Sequence, residues 1–283
     1  MVVLGIDVGG TKLAVGVIDD GGALLARAQR PTSAASTGEL LFAELVELVR
    51  GLDAGLLDSC TAIGVGCGGP MTKGGEEVSP LNIVAWRGFP LRSRLEAEFA
   101  RPVGVDGDAK ALARGEGWVG AAAGVSDFVA MVVSTGVGGG IVLDGRMLDG
   151  AAGNAGHIGH VIVEPEGRPC ACGARGCLEA EASGTAIAAS TGRPAAEAPH
   201  EVRVRTGMLV GRAVASVANL LDLRLAVVSG SVALGFGDVF FEAAQAEVDR
   251  TARLDFSVGT RIVPGELGDE GPLVGAAAVA LFG

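Results

Sequence analysis

The sequence predicts an α/β protein built from two related halves. Strand-length apolar runs alternate with helical periodicity along the chain, and each half opens on a hairpin. The 283 residues leave room for one large domain or two of ordinary size. An order of strand, glycine loop, strand and turn near residue 2 returns near residue 128, which points to duplication of one strand-rich unit.

In chain order, Val2–Ile6 and Leu13–Ile18 read as strands around the polar glycine loop Asp7–Lys12. Asp19-Asp20-Gly21-Gly22 signals a turn into a third strand at Ala23–Ala28. Leu41, Leu45, Leu48 and Val49 share one face of a helix over 37–50. A buried strand follows at Ala62–Val65, then a helix at Leu91–Phe99, a strand at Val103–Val105 and a helix over 108–118. The second half repeats the opening with Phe128–Val133, the loop 134–139 and Gly140–Leu143. A cysteine-bearing coil (164–178) and an exposed loop (191–200) precede a helix over 206–221. A strand at Leu225–Val228, a helix over 238–250, a strand at Arg261–Val263 and a helix from Pro272 complete the chain.

Composition narrows the function. With 49% hydrophobic and 19% charged residues, the chain is folded and globular. Mean hydropathy is positive, yet no apolar run reaches the ~18–20 residues of a membrane helix. The start, strand-like VVLGI followed by Asp7, lacks a signal-peptide pattern, so a cytoplasmic location is expected. A net charge of −11 with only three lysines (Lys12, Lys73, Lys110) argues against a nucleic-acid partner. Of five cysteines, three fall between residues 170 and 177, which suggests a metal before disulfides.

Two loops suit phosphate. In Asp7-Val8-Gly9-Gly10-Thr11-Lys12 the glycines let backbone N–H groups approach a ligand, Thr11 adds a hydroxyl and Lys12 a cation. Asp7 suits a metal ion held through water. Ser134-Thr135-Gly136-Val137-Gly138-Gly139-Gly140 supplies a second cradle, and two such loops facing one cleft would grip a polyphosphate from both sides. Gly64, Gly66 and Gly69 fit a dinucleotide fingerprint, but Pro70 follows where a helix should begin and no ribose acid completes it. His160, Cys170, Cys172 and Cys177 offer one imidazole and three thiolates, a closed tetrahedral shell for structural zinc. Asp108, at a strand end and helix start, reads equally as a helix cap and as a general base.

The segments DVGGTK, VDGDAKA, STGVGGG, GNAGHIGH, CACGARGCLEAEASG and SGSV, in this order, resemble the ROK family of bacterial sugar kinases and related repressors. The resemblance implies an actin-like ATPase (ribonuclease H-like) fold with two domains around a central cleft. It also implies phosphoryl transfer from Mg²⁺-bound ATP to a hexose hydroxyl, usually O6, in a homodimer or tetramer. Domains of residues 1–117 and 118–283 are expected, the last helix packing back on the first. By position, Asp7, Gly9, Gly10, Thr11 and Lys12 match the first phosphate loop, and Thr135, Gly136, Gly138 and Gly139 the second. Gly230 and Ser231 match a turn near the adenosine, and Asp108 the catalytic base. Glu179 matches a sugar ligand, His160 a residue shared by zinc and sugar, and Asn82 with Gly68-Gly69-Pro70 further sugar contacts. Two positions depart from the pattern: Gly107 stands where the family usually has Asn, and His157 where its kinases usually have Glu. Both usual residues bond sugar hydroxyls, so glucose specificity is the expectation these changes weaken. A sugar-sensing regulator and a binder without chemistry are the competing readings. The acidic balance, and the absence of a helix-turn-helix ahead of strand one, oppose the regulator.

Overall fold

The computed structural model describes residues 1–34 and 37–283, which divide into two compact units. The first comprises Met1–Ala123, Asp149–Ala155 and Asp269–Gly283; the second comprises Gly124–Leu148 and Gly156–Gly268.

The first unit opens with an antiparallel meander, β1 (Val2–Val8), β2 (Lys12–Asp19) and β3 (Leu24–Pro31). Asp19 closes the second turn by accepting the N–H groups of Gly21 and Ala23 at 2.9 and 2.8 Å. Helix α1 (Gly38–Arg50) is capped by Thr37, which accepts the Leu40 N–H, and buries Leu41, Phe42, Leu45, Val46 and Val49. A short α2 (Ala54–Ser59), capped by Asp53, was not legible in sequence because it buries no residue and so carries no apolar stripe. Then come β4 (Cys60–Cys67), α3 (Leu91–Phe99), β5 (Val103–Gly107) and α4 (Asp108–Val119). The sheet order is β3-β2-β1-β4-β5, with β4 and β5 parallel to β1.

The second unit repeats the meander with β6 (Phe128–Val133), β7 (Val137–Leu143) and the two-residue β8 (Arg146–Met147). Helices α5 (Leu178–Ala182), α6 (Gly184–Thr191) and α7 (His200–Leu221) follow, then β9 (Leu225–Ser229), α8 (Ser231–Phe236), α9 (Asp238–Thr251) and β10 (Arg261–Pro264). The sheet order is β10-β9-β6-β7-β8. Helix α7 starts at His200, six residues before the apolar periodicity, because its first turns follow Pro199 and are largely polar. Where α7 crosses α9 the backbones nearly touch. A Cβ on Gly207 or Gly211 would lie 2.3 Å from the carbonyl oxygens of Phe240 and Ala244. α5, α6 and α8 are five to eight residues long, too short to show a helical period.

The final helix, α10 (Gly271–Phe282), belongs to the first unit. Strand register aligns Gly16, Gly5, Gly64 and Gly104 in one row across β2, β1, β4 and β5. Helix α10 rests on this row: a Cβ on Gly5 would sit 2.6 Å from the Leu273 oxygen, and one on Gly64 only 1.8 Å from that of Ala276. Two of the three glycines of the dinucleotide-like match thus serve packing, since Gly66 lies under α4 beside Ala111 and the Asp108 backbone.

Among the described residues, no helix is long and apolar enough to cross a membrane.

Candidate active site

In the first unit the β1–β2 turn is drawn tight by Gly9, whose N–H donates to the Lys12 carbonyl at 2.9 Å. Thr32, just past β3, braces it from outside: its hydroxyl donates to Gly9 O at 2.7 Å and its N–H to Thr11 O at 3.0 Å. Gly10 must be glycine, because a Cβ there would lie 2.5 Å from Cβ of Asn82. Asn82 therefore lies against the first phosphate-type loop. Its own loop is clamped by Arg87, which no local sequence motif marks. The Arg87 guanidinium donates to the carbonyls of Pro80, Leu81 and Ile83.

Asp108 is the first residue of α4, and Gly107, not Asp108, occupies the N-cap position. The Asp108 Oδ1 accepts the Ala109 N–H at 2.7 Å. Oδ2 is turned toward Gly68, where a Cβ would come within 3.9 Å of it. Gly69 follows, joined to Pro70 by a cis peptide. Asp7 feels this neighbour: burial, then the Asp108 charge, push its carboxyl up to about 7, with Lys12 opposing. A pair of acids so placed fits a divalent cation, which would relieve both burial of charge and mutual repulsion.

Gly107 has ordinary extended geometry (φ −57°, ψ 140°), and a Cβ on it would approach nothing nearer than the Lys110 stem at 3.9 Å. The backbone does not demand glycine here, so its effect is to leave space. Beside it the buried Lys110 centres an ion-pair network that the sequence did not announce. The Lys110 ammonium pairs with Asp149 at 2.6 Å and Asp106 at 3.0 Å, and Arg114 reaches Asp106 at 3.4 Å. Lys110 thereby fastens the separate segment Asp149–Ala155 to α4.

In the second unit the loop Ser134–Val137 is held at several points. Ser134 N–H donates to Gly136 O at 2.9 Å, and its hydroxyl meets that of Ser231 at 2.9 Å. The start of α6 grips the loop through Gly184 N–H to Ser134 O and the Thr185 hydroxyl to Thr135 O, at 2.7 and 2.9 Å. Gly230 has φ 100°, and a Cβ on it would lie 2.4 Å from Val133 O, so only glycine lets this turn lie against β6. Glu179, second in α5, accepts the Val137 N–H at 2.9 Å. His157 and His160 flank a 3-10 turn packed on β7: Gly156 abuts Gly139 and Gly159 abuts Val137. Their rings lie nearly parallel, with centroids 6.1 Å apart. Gly138, within β7, pairs with Val132.

The four zinc-type residues converge. The ligand atoms of His160, Cys170, Cys172 and Cys177 all lie within 4.8 Å of one another. Cys172 and Cys177 sulfurs are 3.7 Å apart, and Cys170 Sγ is 3.8 Å from His160 Nδ1. A tetrahedron with Zn–S bonds of ~2.3 Å has edges of about 3.8 Å, so the spacing fits a four-coordinate zinc. Burial and the neighbouring thiols push the Cys177 thiol up to about 12. Cys172, held by the Ala174 N–H, moves down. A cation would displace the protons that such crowding retains. Glu181, buried two residues past Glu179, clamps the same loop by accepting Arg168 N–H at 2.5 Å and the Arg205 guanidinium at 2.7 Å.

A ROK family profile matches residues 3–282. The chain belongs to the ROK family. It is 37% identical over 253 residues to an N-acetylmannosamine kinase of Citrobacter koseri, covering 84% of this chain and 86% of that one. A ROK hexokinase structure from Thermus thermophilus is 34% identical with a TM-score of 0.83, covering 99% and 98% of the two chains. A ROK glucokinase from Streptomyces griseus, solved with glucose and AMPPNP, is 28% identical with a TM-score of 0.85 over the whole of both chains. The fold is that of the actin-like ATPases, and the protein is a sugar kinase, a phosphotransferase with an alcohol acceptor.

Proposed function

We propose that this ROK protein transfers the γ-phosphate of ATP to the 6-hydroxyl of a hexose derivative, with N-acetylmannosamine as its preferred acceptor. The observation that carries the reaction is Asp108. One carboxylate oxygen is fixed by its own helix and the other is turned to the Gly68-Gly69-Pro70 loop, which Pro80 also approaches. In this reading Asp108 accepts the proton of the attacking hydroxyl. By the family resemblance, Gly9, Gly10, Thr11 and Lys12 bind phosphate oxygens, as do Thr135, Gly136, Gly138 and Gly139. Gly230 and Ser231 sit beside the adenosine. Asn82, Gly69, His157, His160 and Glu179 orient the sugar. Asp7 would hold Mg²⁺ through water, and the ion, when bound, offsets phosphate charge. His160 and the three cysteines would hold structural zinc, which fixes the loop leading into Glu179.

The acceptor rests on two supports. The relative named above that phosphorylates N-acetylmannosamine matches most of this chain, and Gly107 leaves room for a ring substituent. An anionic sugar is disfavoured, because Lys110, whose stem approaches Gly107, is already paired with two aspartates. Glucose is the second reading, supported by the glucokinase likeness. ADP release across glucose, mannose, N-acetylglucosamine and N-acetylmannosamine tests the assignment. The highest kcat/KM is expected with N-acetylmannosamine. Preference for glucose would replace the acceptor, and silence with every sugar despite ATP binding would remove the reaction. A homodimer is the expected assembly, measured by light scattering.

A further inference from the structure

Glu179, proposed above as a sugar ligand, also touches the second glycine loop. Its Oε2 already accepts the Val137 N–H at 2.9 Å, at the end of the second glycine loop. The same oxygen would lie 2.8 Å from a Cβ on Gly136. Gly136 is glycine because the carboxylate comes so close. The rest of the loop is pinned from other directions, by α6 at Ser134 and Thr135 and by Ser231 at Ser134. At its Val137 end the loop is tied by the Glu179 side chain, with Gly159 packed against the Val137 carbonyl.

We propose that Glu179 is a positioning residue for the phosphate loop as well as a sugar ligand, so that one carboxylate couples the two subsites. The proposal rests on the kinase reading given above. A loop N–H bonded to a carboxylate is fixed in direction and unavailable to phosphate, which leaves the neighbouring glycine N–H groups to receive the nucleotide. Because both subsites share this group, whatever displaces it at one is felt at the other, and the coupling is reciprocal.

The test titrates Mg²⁺·AMPPNP into sugar-free protein by calorimetry, with zinc content and thermal melting as checks of folding. Glu179→Ala is expected to weaken nucleotide binding about tenfold, the scale of losing one hydrogen bond to a charged group. Glu179→Gln, whose amide oxygen still accepts from Val137, should stay within about twofold of wild type, while both variants weaken sugar binding. In the reverse direction, Gly136→Ala should raise the dissociation constant for N-acetylmannosamine, measured without nucleotide, by at least about threefold. Wild-type nucleotide affinity in Glu179→Ala, or wild-type sugar affinity in Gly136→Ala, overturns the coupling. Those results would leave the kinase reading intact. That reading fails separately, if unmodified protein binds no nucleotide or phosphorylates no sugar.

Discussion

Replacing Asp7 by asparagine keeps the shape of the side chain and removes its charge. In the protein the carboxyl titrates near 7 instead of 3.8, first because it is buried and next because Asp108 is close. The native state therefore holds a proton that the unfolded chain has released, between about pH 4 and pH 7. Stability must fall as pH rises through that window and level off above it. A rise of about three pKa units, with the opposing effect of Lys12 already included, corresponds to about 4 kcal/mol at most, since relaxation of the surroundings reduces it. Asp7→Asn should remove this slope. At pH 8 the variant is expected to be more stable than wild type by about 2–4 kcal/mol, and at pH 4 the two should agree within about 0.5 kcal/mol. Urea unfolding at pH 4, 6 and 8, in Mg²⁺-free buffer without chelator so that zinc is kept, measures it. Equal stability of the two proteins at all three pH values would refute the argument. The same variant should lose kinase activity, because Asp7 lies in the first phosphate loop.

Three further outcomes are expected. Asp108→Asn should lower kcat by a factor of about 10² or more, the usual share of a general base, while sugar binding measured by calorimetry stays within about threefold; near-normal turnover would assign the base elsewhere. Elemental analysis of protein purified without chelator should find about one zinc per chain for a closed four-ligand site, and Cys172→Ser should reduce zinc content, melting temperature and activity together. A zinc-free preparation with full activity would remove the metal from the account. Gly64→Ala should destabilise by about 3 kcal/mol or more, because its methyl would overlap the Ala276 carbonyl, and a melting curve unchanged by it would contradict the close seating of α10.

The candidate site was legible where its residues are neighbours in sequence. The loops 7–12 and 134–140 and the spacing of Cys170, Cys172 and Cys177 are local patterns, because phosphate cradles and zinc knuckles are made from consecutive backbone. Asp108 was visible but ambiguous, since a carboxylate at a helix start serves equally as cap or base until its surroundings are known. The dinucleotide-like glycines show the opposite case: Gly64 and Gly66 match a nucleotide motif yet exist to admit α10 and α4.

Sequence by itself determined the alternation of strands and helices, the repeated hairpin and the inventory of reactive groups, because periodicity and turn chemistry act over a few residues. Only tertiary structure decided that four glycines on separate strands align into one seat, that Arg87 clamps the loop of Asn82, and that Lys110 ties Asp149 to α4. It alone placed the Glu179 carboxylate on Val137, 42 residues away. Such contacts depend on register and on close approach between distant segments, and no local pattern encodes those.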